Sequence, residues 1–202
     1  MIRKLFKKLF QGPKQESKEI YIIAQLNDKI MPISRGEVYE DPLDEFLKSN
    51  SYGEVTGGGT QLMEDNDIAY CDLEIRLFNH PTKHIIDEII NKLEYLGAPK
   101  GSKMIVEYTG EQIPFGKLEG LGLYLDGINL SDEVYKNSDS EALAEEIRRL
   151  ANIKSDVVRY WNGNTETGLY FYGDSFEGIK NSISDFLSTT PDCEGCRIVQ
   201  VA

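Results

Sequence analysis

From Cys71 to Leu77 apolar and polar residues alternate without a break. Cys71, Leu73, Ile75 and Leu77 fall on one side, and Tyr70, Asp72, Glu74 and Arg76 on the other. That period of two predicts a half-buried strand. Upstream, Glu54–Met63 and Ile68–Phe78 read as a hairpin across Glu64-Asp65-Asn66-Asp67. Ile20, Ile22, Ala24 and Leu26 mark a first strand in the β-branched run EIYIIAQLN. Asp28 to Tyr39, with Pro32 and Gly36, is expected as a long connection. A helix then starts at Asp41-Pro42, with Asp as N-cap and Pro at the first helical position. Its buried stripe is Leu43, Phe46 and Leu47. Ile85, Ile86, Ile89, Ile90, Leu93 and Leu96 stripe a second helix, which Gly97 stops, and KMIVEY is a fourth strand. TGEQIPFGK, with Gly110, Pro114 and Gly116, reads as a linker.

The same order then returns. LEGLGLYLDG is a strand with Leu121, Leu123 and Leu125 inward, followed by a connection over residues 128–138. Leu143, Ile147, Leu150 and Ala151 stripe a helix on whose wet face Glu145 and Arg149 can pair. DVVRYW and TGLYFYG form a hairpin across Asn162-Gly163-Asn164. Phe176, Ile179, Ile183, Phe186 and Leu187 stripe the last helix, and CRIVQVA closes the chain. Both halves end alike, in an apolar helix, a Pro-containing loop and a short Ile-Val strand.

Strand, helix, strand, strand, helix, strand, written twice, resembles a tandem ferredoxin-like protein. The resemblance implies an α+β chain with two βαββαβ domains, over residues 19–110 and 117–202. Each would carry its helices on one face of a four-stranded antiparallel sheet. Bare outer faces would expose aromatics, so the two units are expected to pack together or to form one continuous sheet.

Residues 1–18 differ from the rest. Ile2, Leu5, Phe6, Leu9 and Phe10 form one helical stripe, Arg3, Lys4, Lys7 and Lys8 fill the other face, and Gly12-Pro13 ends it. This basic amphipathic helix and linker suits weak contact with an anionic membrane surface through residues 1–11, or docking on an acidic body. Lysines every few positions deny it a signal-peptide core. The segment carries +5 of a chain whose net charge is −12, leaving the body near −17. That charge opposes nucleic-acid binding, which needs Lys and Arg on phosphates, and favours a basic partner. Three cysteines in 202 residues make no disulfide framework, so a reducing cytoplasm is expected.

Candidate chemistry is sparse. Gly57-Gly58-Gly59-Thr60 resembles an anion cradle, but a strand follows where a phosphate loop needs a helix N-terminus, and Lys is missing. A bulged or closely packed strand is the expectation. Cys193-Glu194-Gly195-Cys196 has metal or redox spacing. A structural zinc would have to add His80 and His84, or Cys71, from the other half, and a catalytic thiol would need a helix N-terminus, so neither a metal nor a redox role is expected. The two histidines leave no nucleophile–base pair, and no G-x-S-x-G is present. Asp72 with Glu74, and Asp132 with Glu133, read as solvated surface. Tyr160, Trp161, Tyr170, Phe171 and Tyr172 sit where RNA-binding βαββαβ domains stack bases, but basic neighbours are missing and sheet packing is expected.

A small acidic two-unit chain without catalytic motifs is similar, by size and charge, to bacterial toxin-immunity proteins. That likeness implies a non-enzymatic protein-binding module that inhibits a basic toxin or nuclease and needs no cofactor. The expected contact surface is Tyr70, Asp72 and Glu74, with Glu107 on the neighbouring strand. The alternative is a regulatory domain pair that holds a small metabolite between its units.

Overall fold

A computed structural model describes residues 20–202; the amphipathic segment expected at the N-terminus lies outside them. Among the described residues two antiparallel sheets form, one of five strands and one of four. In the first, β1 (Ile20–Leu26), β2 (Gly53–Leu62), β3 (Ile68–Leu77), β4 (Ser102–Val106) and β5 (Glu111–Phe115) lie in the order β2-β3-β1-β4-β5. In the second, β6 (Glu119–Asp126), β7 (Tyr160–Asn162), β8 (Glu166–Gly173) and β9 (Arg197–Gln200) lie in the order β7-β8-β6-β9. The helices alternate with them: α1 (Pro32–Arg35), α2 (Asp41–Ser49), α3 (Lys83–Tyr95), α4 (Asp132–Asn137), α5 (Ser140–Leu150) and α6 (Phe176–Thr189). This mixed α+β arrangement is compatible with tandem ferredoxin-like domains.

Each sheet buries one face under its own helices. In the first core Ile22, Ala24, Leu26, Leu73, Ile75 and Met104 meet Leu43 and Leu47 of α2 and Ile86, Ile89 and Leu93 of α3. In the second, Leu121, Leu123, Leu169 and Phe171 meet Leu143 and Ile147 of α5 and Ile179, Ile183 and Leu187 of α6. Each such large side chain contributes about 1.5–3 kcal/mol. Helices α3, α5 and α6 begin at side-chain caps. Thr82 accepts from the Ile85 N–H, Asp139 from the N–H groups of Glu141 and Ala142, and Ser175 from that of Gly178.

Five expectations are corrected. The expected linker holds strand β5, so the first sheet has five strands rather than four. The N–H groups of Thr109 and Gly110 fold back onto the Val106 carbonyl (3.2 and 2.8 Å), Gly110 sits at φ +74°, and the reversed chain pairs with β4. Pro114 is tolerated there because β5 is an edge strand. The connection before Asp41 is helical from Pro32 onward, and Asp41 is not an N-cap. A five-residue π turn, Gly36–Glu40, joins α1 to α2. The wider π turn falls just before Pro42, which has no N–H to give to the preceding turn. Residues 128–138 likewise contain a short helix, α4, capped by Ser131. β7 is only three residues long; just before it the Arg159 carbonyl still accepts from the Tyr170 N–H (2.9 Å) while its side chain reaches across to Asp28. On α5, Arg149 pairs with Glu146 and not with Glu145.

Candidate protein-docking face

The second sheet is covered by helices on one side and, over its central strands, on the other, while Arg197 and Val199 of β9 stay exposed. On β8 Leu169 and Phe171 face the helices, whereas Tyr170 and Tyr172 face the other way, yet both tyrosines are only 3% and 5% exposed. What covers them is the segment after β1. The Lys29 N–H donates to the Tyr172 hydroxyl (3.0 Å), and Lys29 Nζ lies 5.4 Å from the centre of the Tyr170 ring. Gly120, Gly122 and Gly168 on this face make room. A Cβ on Gly120 would lie 2.7 Å from the Tyr172 ring.

A buried ionic group locks this contact. Asp28, fully buried, accepts two hydrogen bonds from the Arg159 guanidinium (2.6 and 2.9 Å) and a third from the Tyr39 hydroxyl (2.8 Å). The guanidinium also stacks 5.1 Å from the Tyr172 ring centre. Burial alone would lower the Arg159 pKa, but the Asp28 charge and its hydrogen bonds outweigh burial and hold it above its ordinary value. Burial first, and the Asp28 charge second, push the Tyr39 and Tyr172 phenols well up, so both stay neutral. Beside this group Lys29 pairs with Asp67 at 2.5 Å, and the Trp161 indole N–H donates to the Asp65 carbonyl (3.0 Å).

Among the described residues, helices cover the first sheet on one side. Cross-strand register places Gln25 beside Asp72 and Lys103, Ile23 beside Glu74 and Ile105, and Gln61 beside Tyr70. All of these point away from the helices, and all are half-buried or exposed. Gln25 holds Asp72 (3.0 Å), and Thr56 donates to Glu74 (2.7 Å), so the two carboxylates have fixed positions on rigid strands. At the β2 edge Gly57 and Gly59 pair with Glu74 and Asp72, and nothing lies within 4 Å of a Cβ built on either, so this strip is flat and bare. Gly58 points the other way, where its missing Cβ leaves space for Arg35 and Glu40. Arg35 is held by Glu40, the Gly59 carbonyl and the Thr60 hydroxyl, each at 2.7 Å. The glycine run is therefore a strand that packs closely on a buried guanidinium, and β2 has a bulge between Val55 and Gly57.

Of the four residues expected to form a contact surface, Tyr70, Asp72 and Glu74 lie together on this open face. Glu107 does not join them. It is exposed just past the end of β4, and β1 stands between β4 and β3. Composition did not point to Ile23, Gln25, Lys103 and Ile105, although alternation in β1 and β4 places them there. No pattern in the sequence distinguished Asp28, Arg35 and Arg159, since a lone charge beside an apolar run reads as surface.

The candidate metal ligands are scattered. Cys71 belongs to the first core, where burial raises its thiol pKa and leaves it inert. His80 is exposed and packs edge-on against Tyr108, and His84 faces Glu88 at 3.7 Å. Cys193 and Cys196 belong to the second core. Among the described residues no three His, Cys, Asp or Glu side chains converge as a metal site would require, and no helix is long and apolar enough to cross a membrane.

A shallow groove of about 380 Å³ runs between the two halves, lined by Met31, Pro32, Leu62, Asp67, Tyr160 and Trp161 among others.

No protein family matches the chain, and no curated protein does. Solved structures align over most of its length. An unknown protein from Galdieria sulphuraria is 11% identical, with 90% of this chain and 96% of that one covered, at a TM-score of 0.27. The first two RRM domains of a yeast poly(U)-binding protein are 13% identical, with 91% and 99% covered, at a TM-score of 0.24. At such TM-scores neither likeness bears on fold or function.

Proposed function

We propose that this chain is a non-enzymatic protein-binding module that receives a basic protein partner on the open face of its first sheet. The observation that carries this reading is the asymmetry between the sheets. The second sheet has the centre of its outer face covered, at Tyr170 and Tyr172; the first keeps a rigid face with Tyr70, Asp72 and Glu74 over half-buried Ile23 and Ile105. The chain's −12 charge supplies the matching field. A half-buried Tyr and Ile centre with carboxylates around it has the composition of an interface, and carboxylates are poor hosts for a phosphate backbone. The strand orders β2-β3-β1-β4 and β7-β8-β6-β9 are equivalent, which supports a finer reading of the scaffold as two tandem ferredoxin-like domains, the first extended by β5. Within this class, an immunity-type inhibitor of a basic toxin or nuclease is the most specific form, and charge is its support.

The test is co-purification with the product of the adjacent reading frame. Asp72→Asn with Glu74→Gln should abolish capture, while Asp132→Asn with Glu133→Gln, which removes the same charge from α4, should leave it intact. Equal behaviour of the two pairs would refute docking on this face, and no capture by wild type would refute the immunity-type form.

The groove between the halves favours a second reading, a regulatory pair that holds a small metabolite there. A thermal-shift screen with nucleotides and amino acids decides it. A strong rise with one ligand, abolished by Trp161→Ala, supports the groove.

A further inference from the structure

Cys193 and Cys196 are free thiols on either side of a tight turn. A single 3₁₀ turn, Pro191–Cys193, leads in from α6, and β9 leads out at Arg197. The Cys196 N–H donates back to the Cys193 carbonyl at 3.1 Å, and Gly195 adopts φ +72°, which closes the loop on itself. The turn thus holds both cysteines at its two ends, within the span that a disulfide can bridge. Their surroundings differ. Cys193 is 4% exposed and packs in the second core, whereas Cys196 is half-buried; both line a shallow cavity with Lys180, Ser184 and Ser188.

We propose that Cys193 and Cys196 form a reversible dithiol–disulfide site that exchanges with low-molecular-weight disulfides, Cys196 attacking and Cys193 resolving. The Cys196 thiolate attacks one sulfur of the small disulfide. A Cys196–S–S–R bond forms, the R–S–S–R bond breaks, and one RS⁻ leaves. Cys193 then gives up its proton, and its sulfur attacks Cys196 and expels the second RS⁻. The protein dithiol is oxidised by two electrons, the small disulfide is reduced to two thiols, and the two protein protons end on them.

The division of labour follows from exposure: Cys196 is half-buried whereas Cys193 is 4% exposed, so a small disulfide meets Cys196 first. Interaction between the two thiols acts in the same direction, lowering the Cys196 thiol below its ordinary value and raising that of Cys193.

The experiment treats the folded full-length chain with oxidised glutathione at pH 7, quenches with acid, alkylates and maps peptides by mass spectrometry. Wild type should lose about 2 Da and yield a peptide linked between Cys193 and Cys196. Cys193→Ser should instead accumulate a mixed disulfide at Cys196, and Cys196→Ser should stay unmodified while folded. A wild-type product that stops at the mixed disulfide, or modification at Cys71 or Cys193 first, would overturn the proposal. The wild-type peptide map decides the matter even if circular dichroism shows that a serine variant has not folded.

Discussion

Arg159→Met tests the contact that joins the two halves. In the native protein the guanidinium gives Asp28 two short charge-assisted hydrogen bonds, and it is only 7% exposed. Methionine fills a similar volume but donates nothing. Asp28, with no exposed surface, would keep only the Tyr39 hydroxyl. Breaking one side of a buried ion pair costs about 3–5 kcal/mol, chiefly because the remaining charge is stranded. Chains of this size are stable by about 5–15 kcal/mol, so a third or more of the total is at stake. In urea, with a slope of about 2–3 kcal/mol per molar, the midpoint should fall by about 1–2.5 M. Asp28→Asn keeps an acceptor for Tyr39 and removes the charge instead. The double variant should then cost less than the sum of the singles, with a coupling of about 2–3 kcal/mol. Unfolding is followed by far-UV circular dichroism and by the fluorescence of Trp161, the chain's single tryptophan, whose indole N–H bonds across to Asp65. Single-variant losses that simply add, or a loss under about 1 kcal/mol for Arg159→Met, would refute the idea that this ion pair holds the halves together.

Three further outcomes are expected. Gly58→Ala should cost about 1–3 kcal/mol in urea unfolding, because its Cβ would come within 3 Å of Arg35, Glu40 and the Asp72 carbonyl; Gly57→Ala and Gly59→Ala, facing open space, should stay within about 0.5 kcal/mol. Asp139→Ala removes the acceptor for two N–H groups at the start of α5 and should cost about 1 kcal/mol, read as a lower melting temperature. The Arg197 hydrogen bonds hold the Glu166 carboxyl below its usual range. Their contribution is therefore present above the unfolded value of about 4.3 and is lost as pH falls through the depressed folded value. The penalty of Arg197→Met, under about 1 kcal/mol for so exposed a pair, should shrink as pH falls from about 5 toward 3 in a denaturation series.

What was legible in the sequence was what period and caps encode. The stripe of α3, the stripe of α6, and the β2–β3 hairpin across residues 64–67 lie where alternation and helical spacing put them. What was not legible rests on partners distant in sequence. Asp28 and Arg159 are 131 residues apart, and each alone looks like a surface charge. β5 has a proline and two glycines around it and was hidden by its own turn chemistry; only pairing with β4 makes it a strand. Pro42 reads as a helix start because a proline usually is one, and the π turn that carries helix through it has no local signature.

The candidate site was legible for a related reason. β3 alternates strictly, and a strand that alternates has one face meant for water or for a partner. In β8, by contrast, Leu169, Tyr170, Phe171 and Tyr172 run together with no polar residue between them. A strand of that kind is buried on both faces, and Tyr170 and Tyr172 are indeed covered by the segment that carries Asp28 and Lys29. The contrast between a broken and an unbroken apolar run thus distinguishes half-buried β3 from doubly buried β8. It also explains why Tyr170 and Tyr172 of the second sheet, placed where a base could stack, are spent on internal packing, while Tyr70, Asp72 and Glu74 of β3 stay half-buried or exposed.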